Sequence, residues 1–142
     1  MKTDRLFAIV LGALLFVHTG ACAQDALPFD TNPVASFDEP WALAFLPDGR
    51  MLVTEKKGNL FVVTRDGQKS RPVAFVPDVK YGGQGGLGDV ALHPDFTDNG
   101  VIYLSYAESG VGGTYGAAVI RAVLNLTDRG GYLSDASVIW RQ

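Results

Sequence analysis

ALAFLPDGRMLVTE, residues 42–55, reads as an apolar strand, a Pro-Asp-Gly turn and a second apolar strand. The same order returns in DVALHPDFTDNGVIYLSYAE, residues 89–108. Ala44-Phe45-Leu46-Pro47-Asp48 lines up with Ala91-Leu92-His93-Pro94-Asp95, and the two prolines stand 47 positions apart. A period in the forties, built of short strands, is the pattern of a β-propeller blade. A β-sandwich with two similar hairpins is the competing architecture. The propeller is preferred because turn chemistry repeats along with the apolar pattern.

The flanking sequence extends the strand-and-turn pattern. Trp41–Phe45, Met51–Glu55, Leu60–Val63 and Val73–Val76 read as four strands. Turns at Pro47–Arg50, Lys56–Asn59 and Arg65–Gln68 separate them. Asp89–Leu92 opens the second unit. Val138–Gln142 reads as a strand with nothing after it to pair. The expected architecture is therefore all-β: two propeller blades and the start of a third. A propeller closes with about four to eight blades, so the chain reads as the N-terminal part of a longer protein with an open edge.

The first 23 residues are set apart from this pattern. Lys2 and Arg5 precede an uncharged apolar run, Leu6–Val17, and Ala21-Cys22-Ala23 offers a small-residue cleavage site. This is the pattern of a secretory signal peptide, and the run is too short to span a bilayer. Acylation of Cys22 would instead tether the protein to a membrane, although Thr19 is a poor match to the Leu usual in such signals. Cleavage after Ala23 removes 23 of 142 residues and leaves 119, carrying 10 basic and 14 acidic side chains and no cysteine. The expected location is periplasmic or secreted. Disulfides are excluded from the domain spanning residues 24–142, and the absence of a basic patch argues against nucleic acid.

GGQGGLG, residues 82–88, stands directly before the second repeat. One turn needs one or two glycines; this many lets backbone approach something closely. The repeat places the loop at the start of an innermost strand, at a channel mouth. Gln84 is its one long polar side chain, and its amide both donates and accepts. Read from the residues alone, Gln84 is equally a ligand contact or a solvated connector residue.

PWALAFLPDGRMLVTEKKGNLFVV, GGQGGLGDVALHPDF and VIYLSYAE together resemble the soluble quinoprotein sugar dehydrogenases of the glucose/sorbosone dehydrogenase family, in particular the periplasmic aldose type. The resemblance runs from about Phe37 to Gln142. It implies a six-bladed propeller, pyrroloquinoline quinone (PQQ) at the channel mouth, calcium, and oxidation of aldoses at the anomeric carbon to lactones, with an external electron acceptor. It assigns Gln84 to PQQ. It also implies a catalytic histidine in a Gly-His-Phe-Gly-type loop, with basic and calcium-binding residues in later blades. None of these lies in this sequence, so no catalytic or metal residue is assigned here and the chain alone is expected to be inactive. Gly88 departs from the apolar residue common in relatives, which is expected to loosen the start of the strand.

The other candidates have plainer readings. His93, beside Pro94, is read as satisfying turn backbone groups. Asp95, Asp98 and Asn99 offer hard oxygens for calcium, but an Asx-rich turn explains them better. Asp89 is read as a backbone cap. Asn125-Leu126-Thr127 is a glycosylation acceptor only in a eukaryotic secretory route. Trp41, Phe45, Phe61, Tyr103 and Tyr106 are expected in blade cores. Two rival functions stay open: a non-enzymatic secreted β-propeller binding module and, less favoured with only Asp89 acidic near the glycine loop, a calcium-dependent lactonase-type propeller.

Overall fold

In a computed structural model describing residues 29–142, the expected strands assemble into two antiparallel sheets. Residues 32–142 pack as one unit. The first sheet has the order β1 (Pro40–Phe45), β2 (Met51–Glu55), β3 (Asn59–Val63). The second runs β4 (Leu87–Leu92), β5 (Val101–Ser109), β6 (Tyr115–Thr127), β7 (Gly130–Arg141), each strand pairing with its sequence neighbour. The only α-helix among the described residues is the single turn α1, Phe96–Asn99. Residues 1–23, and with them the proposed signal and Cys22, lie outside the described residues.

The 47-residue repeat is visible in the backbone. β1 and β4 begin and end 47 positions apart, and each breaks register at the equivalent place, between Pro40 and Leu43 in one and between Leu87 and Val90 in the other. The turns share their closing bonds. Leu46 N–H donates to Arg50 O at 2.8 Å, and His93 N–H to Val101 O at 3.0 Å. The second turn is longer because α1 is inserted in it. Asp48 closes the shorter turn by accepting from Arg50 N–H at 3.0 Å, while Gly49 supplies the φ of 84° that the corner needs.

Strand periodicity decides which side chains meet. In β2 and β3, Leu52 and Val62 pair on one face and Val53 and Phe61 on the other. Leu52, Leu60 and Val62 share the main core with Val90, Ile102, Leu104, Ile120 and Ala122 of the second sheet. Val53, Phe61 and Val63 form a smaller cluster under Phe37 and Ala35. The buried Glu55 borders that cluster. It accepts from Asp38 N–H at 2.9 Å, the Asn59 amide at 3.0 Å and the Lys69 ammonium at 3.1 Å. Burial pushes its carboxyl up, but these three donors together outweigh burial and hold it below its ordinary value.

Four expectations need correction. Val73–Val76 is not a strand: Phe75 turns the chain at φ 63°, and Pro72 and Pro77 bracket the segment without N–H donors. It serves as a strap instead, with Val73 N–H bonded to Leu60 O (2.8 Å) and Ala74 N–H to Gly131 O (2.9 Å), the latter in a parallel bridge to Tyr132. Residues 138–141 do not start a third unit; they end β7, paired to β6. Trp41 and Phe45 are 53% and 67% exposed rather than buried, whereas Phe61 and Tyr106 are core and Tyr103 is half-buried. Gly88 does not loosen β4. A Cβ there would meet Ser105 Oγ at 2.7 Å, and that hydroxyl accepts Asp89 N–H at 2.8 Å, so glycine is what allows the close approach.

The two sheets are tied at this point. Thr54, fully buried, accepts Ala42 N–H at 3.0 Å within its own sheet and donates to Gly88 O of the next at 2.8 Å. Leu87 N–H donates to Lys56 O at 2.9 Å.

Candidate functional site

The glycine loop sits where the sheets meet. Gly82 and Gly85 exchange two backbone bonds, of 3.2 and 2.7 Å, making Gly83 and Gln84 the two corners of a tight turn. Gly83 has φ 54° and Gln84 does not have positive φ, the pattern of a type II′ turn, in which only the first corner demands glycine. That is why a glutamine fits inside this run. Downstream, Gly86 crosses Lys56 so closely that a Cβ would stand 2.2 Å from its carbonyl oxygen, at a φ of +149°. Ala107 N–H bonds Gly86 O at 2.9 Å, so the loop is held by both sheets.

The turn projects over a cleft of about 510 Å³, large enough for a small organic ligand. Exposed Gln84 lines it with Trp41, Tyr115 and Gln142, while Leu87 and Tyr106 contribute to its wall. The cleft thus combines flat aromatic surface with two amides. Among the described residues, no side-chain carboxylate, imidazole, ammonium or guanidinium lines it. Beyond one rim Arg141 grips Glu108 through two bonds of 2.5 and 3.1 Å. The Arg141 hydrogen bond holds the Glu108 carboxyl below its usual range. Tyr106, half in this network, donates to Glu108 at 3.1 Å; burial first, then that acceptor, pushes its phenol up.

Behind the loop is a second polar group. Tyr81 donates to Glu39 at 2.7 Å, which raises its phenol pKa, and the Lys56 and Lys57 ammonium groups lie 5.7 and 5.9 Å from its ring centroid. Lys57 is paired with Asp38 at 2.6 Å, and the Lys56 ammonium donates to the Gly83 carbonyl.

Gln84 is therefore the one expected site residue that lies in the cleft. His93 lies at the opposite end of β4. Its Nδ1 accepts Asp95 N–H at 3.0 Å and faces the Asn99 amide at 3.0 Å, and its ring stacks on Tyr103. Asn99 also caps Val101 N–H (2.8 Å) and Asp89 caps Val90 N–H (2.9 Å), both turn and capping roles. Among the described residues, no three His, Cys, Asp or Glu side chains cluster in a way that could hold a metal ion. Asn125 uses its amide to reach Ser134 at 2.9 Å. Trp41, Tyr115 and Gln142 were not singled out as cleft residues by the sequence. Trp41 carried a faint signal in its Pro-Trp step at a repeated strand start, and Tyr115 in the second glycine cluster, residues 110–116.

Comparison with known proteins gives this geometry a context. The sequence model of the family described as Glucose / Sorbosone dehydrogenase matches residues 37–142. Aldose sugar dehydrogenase YliI of Escherichia coli strain K12 is 44% identical over 106 residues, covering 74% of this chain and 28% of that protein. The crystal structure of the soluble aldose sugar dehydrogenase from Escherichia coli, in its apo form, aligns with TM-score 0.68 at 44% identity, over 74% of this chain and 30% of the other. The PQQ-bound aldose sugar dehydrogenase of Streptomyces coelicolor aligns with TM-score 0.69 at 26% identity, over 78% and 33% of the two chains. The chain thus spans about a third or less of the length of these relatives.

Proposed function

This chain belongs to the glucose/sorbosone dehydrogenase family, and from that premise we propose that it forms two successive blades of a PQQ-dependent aldose dehydrogenase, with Gln84 contacting the quinone. The observation that carries this reading is the glycine turn, which presents Gln84 over an aromatic-walled cleft at the start of a repeated strand. The exposed stripe of β1 supports the propeller. Leu43 and Phe45 are the repeat equivalents of Val90 and Leu92, which the first sheet covers, and a ring of blades would give β1 the same cover.

The residues present fit one edge of PQQ. Trp41 and Tyr115 offer flat apolar surface to a planar ring, and the Gln84 amide can meet a carbonyl or a sugar hydroxyl. With no cation in the cleft, they do not fit its carboxylates, and no residue here is assigned to calcium. Bound, PQQ would supply the two-electron acceptor for oxidation of an aldose at its anomeric carbon to a lactone. This chain's share is orientation and exclusion of water, since the cleft holds no general base and His93 is engaged elsewhere. Calcium, an external electron acceptor and a periplasmic or secreted location complete the proposal; residues 1–23 are its support for the last. The alternative is a non-enzymatic secreted binding module on the same fold.

Titration of the chain with PQQ, followed by fluorescence quenching of Trp41 in a Trp140→Phe background, tests the reading. Saturable binding is expected, about tenfold weaker in Gln84→Ala, the size of one lost hydrogen bond. Absence of binding to the wild-type chain, or equal affinity of the variant, would overturn the assignment of Gln84.

A further inference from the structure

Lys56 holds the glycine loop on both sides of Gln84. Its backbone N–H is fixed to Glu39 O at 3.0 Å, beside the start of β1. Its carbonyl accepts Leu87 N–H at 2.9 Å, downstream of the turn. Its side-chain stem lies against Gly86, where a Cβ would meet Cγ at 2.7 Å. Its ammonium then reaches past Tyr81 and donates to the carbonyl of Gly83, the residue before Gln84.

The tip of the turn has little else to hold it. A Cβ built on Gly82 or Gly83 would meet nothing within 4 Å, so no packing restrains those residues. Glycine backbone is also the most expensive to order. Among the described residues, the hydrogen bonds that fix the tip bearing residue 84 are the two between Gly82 and Gly85 and the Lys56 tether.

We propose that Lys56 is a positioning residue: by tethering Gly83 it sets the direction in which Gln84 faces the cleft, without itself touching the ligand. The proposal rests on the reading of Gln84 as the quinone contact. Lys57 is the internal control. It lies at a similar distance from the same Tyr81 ring, but its ammonium is spent on Asp38 and makes no loop bond.

The test compares Lys56→Met, which keeps the stem and removes the ammonium, with Lys56→Arg and Lys57→Met. Amide hydrogen exchange at Gly85, whose N–H closes the turn, is expected to quicken about fivefold in Lys56→Met, the size of one net hydrogen bond. PQQ affinity is expected to fall about fivefold with it. Lys56→Arg should restore both, Lys57→Met should change neither, and thermal midpoints should stay together because methionine keeps the half-buried stem of Lys56 and Lys57 is exposed. Unchanged Gly85 exchange in Lys56→Met overturns the tether. Faster exchange with wild-type PQQ affinity overturns its role in positioning. If the wild-type chain binds no PQQ, the quinone reading fails, and the exchange data still decide whether the tether exists.

Discussion

Replacing Thr54 by valine removes the hydroxyl that joins the two sheets and keeps the side chain's shape. The hydroxyl accepts Ala42 N–H at 3.0 Å and donates to Gly88 O at 2.8 Å, and the residue is fully buried. Valine can make neither bond. Each backbone group left without its partner costs about 1–3 kcal/mol when desolvated. Ala42 and Gly88 are half-buried, so water recovers part of this loss and the lower half of that range applies to each. The expected cost is about 2–4 kcal/mol, a large fraction of a domain's usual margin. Thr54→Ser keeps both bonds and loses one buried methyl, for about 1 kcal/mol. Chemical denaturation followed by tryptophan fluorescence measures both. The order wild type, serine, valine is the prediction. A valine variant as stable as the serine variant would show that the hydroxyl is incidental and that apolar burial alone joins the sheets.

Two further outcomes follow from the same geometry. Gly86→Ala should destabilise the chain and displace the turn, because the new Cβ would stand 2.2 Å from Lys56 O at a backbone φ of +149°; circular-dichroism melting is the check, and an unchanged melting midpoint would contradict the crossing described here. Glu55, with its carboxyl held below the ordinary value, contributes stability that is fully present above about pH 4.5 and is lost as pH falls through the lower folded-state value. In Glu55→Gln that part of the acid dependence should vanish, leaving a flatter stability profile below pH 4.5 measured by urea midpoints.

The repeat was legible because its turns are chemically explicit. Pro47-Asp48 and Pro94-Asp95 announce the two hairpins, and the structure places β1 and β4 at the same spacing. The glycine loop was legible for the same reason, since clustered glycine has few uses besides tight turning and close approach. What escaped the sequence depends on contacts between distant residues. Val73–Val76 carries strand-forming residues, but its bonds run to two different strands and Phe75 takes a left-handed conformation. β7 looked like a lone terminal strand because its partner β6 is a long strand preceded by a glycine-rich turn. Phe45 looked like a core residue by composition, yet alternation in β1 turns it, with Leu43, away from the second sheet, toward which Ala42 and Ala44 point, while Trp41, at the register break, lines the cleft instead. Lys56, one of two adjacent lysines in a turn, gave no sign that only it would tether the loop.

The repeat also carries side-chain chemistry, and this links the cleft to the core. Ser105 accepts Asp89 N–H at 2.8 Å as Thr54 accepts Ala42 N–H at 3.0 Å, and Asp89 is the repeat equivalent of Ala42. Between these two hydroxyls lies Gly88, with its carbonyl on Thr54 and its Cα against Ser105. A side chain at position 88 would have to displace Ser105, and moving β4 away to make room would stretch the Thr54 bond. The start of β4 is thereby locked between the sheets, and the turn bearing Gln84 is attached directly to it. The cleft is therefore no free-standing loop feature. Its geometry is set by the same contacts that join the sheets, so Thr54→Val should perturb ligand binding as well as stability, whereas Phe45→Ser, on the exposed face of β1, should leave the cleft intact.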